Sequence, residues 1–173
     1  MMPARARALP LVSLLLAANP APAAVAETVA ETVAGTVAEL DADFERDSIV
    51  IESSGYGCFY FDIYLAESEA QQRRGLMNVR KLPAFTGMLF DYDFTSPRSM
   101  WMKNTYIPLD ILFIHADGRI SSIARRTEPL SLQSIASTEA VDYTLELNAG
   151  VTEALLIDAE SRVLLPDALN VTP

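Results

Sequence analysis

One cysteine, one histidine, one tryptophan and two lysines are all that 173 residues hold of those types. The cysteine, Cys58, has no partner in the chain, so no internal disulfide can form even in an oxidising compartment. It stands far from the N-terminal leader, which excludes the lipid-attached cysteine of a bacterial lipoprotein. A thiol nucleophile wants a nearby base, and His115 is the only histidine, so Cys58 reads as structural or incidental. A single histidine also excludes most multi-histidine metal sites and two-histidine chemistry. There is no G-x-S-x-G, no P-loop and no dinucleotide fingerprint, and no cofactor is expected. Basic residues are few, 13 against 23 acids, for a net charge of −10. That balance disfavours a nucleic-acid or anionic-lipid partner.

What is present begins with a leader. Arg5 and Arg7 form a positive n-region, Leu9 to Ala18 an apolar h-region, and Ala24-Val25-Ala26 a small-x-small cleavage site, so residues 1–26 read as a secretory signal. The apolar run is well short of the roughly 20 residues of a spanning helix, and no later segment is long enough. The expected mature protein is exported, periplasmic or extracellular, soluble, and without a stable membrane span. Residues 26–39 repeat AETV-AETV-AGTV-AE, whose valines offer too little surface to hold a helix on a core. The expected organisation is a signal at 1–26, a flexible linker at 27–43, one globular domain at 44–165 and a tail at 166–173.

Within the domain, strand signals dominate. In GCFYFDIYLA, Phe59, Phe61, Ile63 and Leu65 alternate with Cys58, Tyr60, Asp62 and Tyr64. Ser68 and Gln71 have capping-box spacing, and Gly75 offers a left-handed C-cap, which predicts a helix over Glu69 to Arg74. GMLFDY and SMWMKN read as two further strands. LDILFIHADGRISSIAR reads as a hairpin turning at Asp117-Gly118. VDYTLELN alternates with Val141, Tyr143, Leu145 and Leu147 on one face. A short helix around Thr152 to Leu156 and a last strand through Arg162 to Leu165 complete the set. Long crossover helices are absent, so the expectation is a mainly β (β-rich α+β) domain. It would be a barrel-like or sandwich-like antiparallel sheet with one or two short helices.

The ordered set RRGLM (73–77), LP (82–83), GMLF (87–90), WMKNT (101–105), IPLDILFI (107–114), ADGRI (116–120) and LELNAG (145–150) resembles the domain of unknown function 192 family. Many members of that bacterial and archaeal family carry export signals. The resemblance implies a compact β-rich domain with a small helical part and no established activity. The family usually has Gly-Asp before Arg-Val near its C-terminal end, where this chain has Glu160 and Ser161.

Candidate function centres on MWMKNT, residues 100–105. If extended, this segment points Met100, Met102 and Asn104 one way and Trp101, Lys103 and Thr105 the other. Met100 and Met102 offer a soft Cu(I) site, against which stands the ordinary use of methionine as core filler. Trp101 with Lys103 forms a wall with a cation at its rim, suited to a sugar, an aromatic ligand or an anion. Asp110 lies in a run that reads as buried strand, so it must be paired or neutral, with Lys103, Asn104, Arg74 or Glu146 as partners. Arg73, Arg74, Arg80 and Lys81 form a basic group placed to hold an anion. Asp142 and Glu146 share the polar face of one strand, four residues apart, too far to share a proton.

Three readings follow. The first is an exported module that binds a small molecule or envelope component at Arg74, Trp101, Lys103, Asn104 and Asp110. The second is an envelope hydrolase or transferase using a Lys103–Asp110 pair. The third is a polar network that fixes the fold, with function carried on loops such as Thr127 to Ala140.

Overall fold

The computed structural model describes residues 38–55 and 57–165. The leader, most of the linker and the tail lie outside the described residues. In chain order the elements are β1 (Glu45–Ser53), β2 (Gly57–Ala66), α1 (Glu69–Arg74), β3 (Thr86–Met100), β4 (Leu109–Ile114), β5 (Ile120–Ala124), β6 (Ile135–Asn148), α2 (Val151–Ala154) and β7 (Arg162–Leu164).

All seven strands belong to one sheet in the order β5-β4-β6-β3-β2-β1-β7. Its two edges approach each other. Arg119 bridges Arg162, and the Val163 N–H donates to the Gly118 carbonyl at 2.8 Å. The sheet is therefore curled into a half-barrel, the barrel-like of the two expected forms. Gly118 permits that closure twice over. Its φ of 83° suits the turn, and a Cβ there would lie 2.0 Å from the Val163 carbonyl oxygen.

Alternation sorts the apolar residues into two cores. Ile49, Ile51, Phe61, Ile63, Leu89, Leu112, Leu145, Leu147 and Val163, contributed by strands from both ends of the order, fill one face. Tyr64, Met88, Phe90, Ile111 and Phe113 point to the other face, where Leu40, Leu76, Val79, Leu82 and Met102 cover them. The central strands are thus buried on both sides, as the all-buried LDILFI of β4 shows.

Most strand pairs are antiparallel, as expected. The exception is β2 with β3, which run parallel through Asp62–Thr86 to Ala66–Phe90. A parallel pair cannot be joined by a tight turn, so residues 67–85 cross over and lie against the outer face. This crossover carries α1 with the capping box of Ser68 and Gln71. Gly75 ends α1 at φ 46°, ψ −140°, with its N–H bonded to the Gln71 carbonyl. The backbone angle is positive, as expected of a glycine cap, but it lies outside the left-handed helical region.

The structure redraws several boundaries. The two strands read at 87–92 and in SMWMKN are one strand, β3, which stops at Met100. Residues 101–104 leave it because the Met102 N–H donates to the Ser131 carbonyl, the Thr105 N–H donates back to Met102, and Asn104 takes φ 56°. Strand β6 begins at Ile135, six residues before the predicted one. Residues 38–43 are helical and Leu40 is buried, so packing starts ahead of residue 44.

Candidate functional site

The crossover leaves a gap beside the end of β3. A cleft of about 350 Å³ opens there, lined by α1 residues Glu69, Gln72, Arg73 and Arg74, by Tyr92, Arg98 and Met100 of β3, and by Trp101, Lys103 and Thr105. That volume is at the small end of ligand sites. Leu76, Met77 and Phe90 supply apolar wall, and Glu146 of β6 also reaches the cleft.

Glu146 is the unusual group. Register sets it between Met88 of β3 and Ile111 of β4, on the outer face. It is 4% exposed, and its Oε2 is buried without a hydrogen-bond partner. Burial alone pushes its carboxyl up to about 8, so at neutral pH it is largely the uncharged acid. Two residues along, Thr144 accepts a hydrogen bond from the Tyr92 hydroxyl at 3.2 Å. Burial raises the Tyr92 phenol, with Glu146 adding to the rise and Thr144 and Arg98 opposing it.

Four cations line the same cleft, in two conditions. Arg73 pairs with Glu69 at 2.6 Å, and Arg74 pairs with Asp43 while lying 5.2 Å from the Phe44 ring centre. Arg98 and Lys103 have no acidic partner within 4.0 Å among the described residues. Arg98 stacks on Tyr92 at 3.9 Å and Phe94 at 4.9 Å, and its Nε is a second buried atom without a partner. The Lys103 ammonium stands 5.5 Å from the centre of the Trp101 ring, which is 53% exposed.

The residues singled out by sequence divide into two groups. Arg74, Trp101 and Lys103 come together at the cleft. Asp110 does not join them. Its carboxylate accepts from the backbone N–H groups of Arg126 (2.9 Å), Gly150 (3.0 Å) and Thr152 (3.0 Å) and from the Thr152 hydroxyl (2.7 Å). It staples the segment after β5 to the start of α2, and no ion pair links it to Lys103. Asn104 is exposed and off the lining; its carbonyl accepts from the Asn78 N–H at 2.8 Å, and its side-chain amide donates to the sulfur of Met77, a cleft residue, at 4.0 Å. Arg80 stacks on Tyr106 at 4.4 Å, away from the cleft.

Met100 and Met102 face different clefts; the Met102 sulfur accepts from the Thr127 hydroxyl at 3.1 Å, and the Met100 sulfur lies 3.6 Å from the Tyr92 hydroxyl oxygen. Among the described residues no group of three or more His, Cys, Asp or Glu side chains is placed to hold a metal. His115 lies 3.0 Å from Glu139, and Cys58 is exposed. At the departure from the family pattern, Ser161 is buried, and its hydroxyl accepts from the Ser54 and Asp158 N–H groups at 3.1 and 3.0 Å.

Sequence reasoning put Glu146 on a polar strand face and left Tyr92 and Arg98 unremarked. A glutamate between leucines signals a solvated face until something is known to cover that face. Here the crossover covers it.

Residues 49–165 match the model of the domain of unknown function 192 (DUF192) family, described as "Uncharacterized ACR". Among solved structures, one from Sinorhizobium meliloti 1021, provisionally described as a transcription regulator, is 38% identical with a TM-score of 0.68, over 70% of this chain and 94% of that one. Another, a protein of unknown function from Novosphingobium aromaticivorans DSM 12444, is 29% identical with a TM-score of 0.68, over 70% of this chain and 86% of that one. No curated protein matches. No helix among the described residues is long and apolar enough to cross a membrane.

Proposed function

The chain belongs to the DUF192 family, and on that premise we propose that it is an exported binding module whose cleft takes a small molecule. The observation that carries this reading is a coincidence of unmet groups. Of three buried side-chain polar atoms without a partner among the described residues, two, Glu146 Oε2 and Arg98 Nε, belong to residues lining one cleft. An unmet buried polar atom costs about 1–3 kcal/mol, and a ligand is the simplest partner to offset that cost. Lys103 and Trp101 at the mouth supply a charge and a flat apolar surface.

An enzyme built on Lys103 with Asp110 has less support, because four donors already surround the Asp110 carboxylate. The description of the Sinorhizobium neighbour is not carried over, since a net charge of −10 opposes binding to a phosphate backbone. Export rests on the leader, and the N-terminal mass of protein secreted by a bacterial host tests it: a start at or near Glu27 supports the reading.

Trp101 is the only tryptophan, so its emission reports on the cleft. A screen of envelope-derived small molecules, read by that emission and repeated on Lys103→Met, tests the binding reading. Saturable shifts weakened in the variant are expected. Ligands that bind the native and variant chains equally would place the site elsewhere.

A further inference from the structure

Resting on that reading of the cleft, we infer that its ligand is a small organic carboxylate carrying a second, uncharged oxygen function. The carboxylate sits at the rim with Arg98 and Lys103, and the uncharged oxygen hydrogen-bonds the buried Glu146 carboxyl.

Charge gives the first half of the argument. Arg73 and Arg74 are neutralised by Glu69 and Asp43, whereas Arg98 and Lys103 have no acid within 4.0 Å among the described residues. Among the described residues the lining holds one carboxyl besides Glu69, that of Glu146, and burial holds it uncharged at neutral pH. The cleft therefore presents net positive charge despite the acidic chain, and a carboxylate matches the guanidinium of Arg98.

The second half is the floor. Neither Arg98 nor Lys103 pairs with Glu146 within 4.0 Å among the described residues, so the floor acid and the rim cations are separate binding features. A simple inorganic anion would satisfy the rim and leave Oε2 unmet. A neutral polyol would do the reverse. A protonated carboxyl is both donor and acceptor, which fits a hydroxyl or carbonyl oxygen. Leu76, Met77 and Phe90 on the same lining suit a short carbon chain.

Four probes of one length separate the contributions: 4-hydroxybutyrate, butyrate, butane-1,4-diol and 4-aminobutan-1-ol, titrated at millimolar concentration into the processed chain and read by Trp101 emission and amide NMR shifts. The hydroxy acid should bind about tenfold tighter than butyrate or the diol, the gain of one good hydrogen bond or ion pair. Lys103→Met should reduce the preference for the hydroxy acid over the diol. Glu146→Leu should bring the hydroxy acid down to butyrate, while Glu146→Gln, which keeps a donor and an acceptor, should not.

Binding of the hydroxy acid should also weaken from pH 7 to 9 as Glu146 ionises, and Glu146→Gln should flatten that profile. The other charged or titratable groups facing the cleft are Glu69, Arg73 and Arg74 from α1, Tyr92 and Arg98 from β3, and Lys103. Diol or amino alcohol binding as tightly as the hydroxy acid overturns the carboxylate assignment but leaves the cleft a ligand site. Equal binding of hydroxy acid and butyrate to the native chain overturns the role of Glu146. Silence from all four probes overturns both this inference and the binding reading.

Discussion

Replacing Glu146 by glutamine should stabilise the protein, and by an amount that depends on pH in a defined direction. The folded carboxyl titrates near 8 against an ordinary 4.5. Between those values the unfolded chain has lost the proton and the folded chain has kept it. Unfolding then releases a proton, so native stability falls as pH rises from about 4.5 and levels off above about 8. At about 1.4 kcal/mol per pKa unit, the loss is about 3 kcal/mol at pH 7 and about 5 kcal/mol above pH 8. Glutamine has nearly the same shape and no charge to desolvate. Urea unfolding of both chains at pH 5 and pH 8.5 isolates the effect, because every other titration cancels in the difference. Near-equal stability at pH 5 and an advantage of several kcal/mol for Glu146→Gln at pH 8.5 are expected. A difference that stays constant within about 0.5 kcal/mol, the ordinary scatter of a surface change, would refute the argument and mean that Glu146 ionises normally.

Asp110→Ala strands four donors in a buried site and should cost about 3–5 kcal/mol in urea unfolding, with Asp110→Asn between it and the native chain. Gly87→Ala would bring a Cβ to 2.7 Å from both the Glu146 carbonyl oxygen and Leu147 Cδ2, and should destabilise by about 1–3 kcal/mol. Ser68→Ala removes the side-chain cap of α1 and should cost about 1 kcal/mol. Lys103→Met, on an exposed turn, should leave the unfolding midpoint unchanged within about 0.5 kcal/mol, which separates its effect on binding from any effect on folding.

Local signals in the sequence were reliable where neighbours in the chain set the structure. The capping box at Ser68 and the span of α1 are instances, because all the groups involved lie within a few residues. The alternation of β2 was legible for the same reason, as was the turn at Asp117-Gly118. Prediction weakened where distant residues decide. Pro97 and Ser99 lie in β3 because they pair with Ala140 and Ala136 across the sheet, which no local propensity announces. Trp101 to Asn104 read as strand and form a turn, since the Ser131 carbonyl captures the Met102 N–H. Of the residues singled out with WMKNT, Trp101, Lys103 and Arg74 lie along one cleft. Asp110 was rightly seen as needing partners, but the Arg126 amide and the amides and hydroxyl at the start of α2 meet that need. Glu146 was legible as a polar residue and illegible as a buried one, because the layer above it comes from another part of the chain.

The parallel pairing of β2 and β3 has a consequence for how this architecture can diversify. Strand register is specified by residues of the sheet itself, whereas the cleft owes one wall to residues 67–85, which cross from one strand to the next. The two tasks are assigned to separate stretches of chain. A crossover of different length or composition can change the shape and charge of the cleft, provided apolar side chains still cover Met88 and Phe90. The sheet then acts as a fixed chassis, and the crossover as its exchangeable fitting.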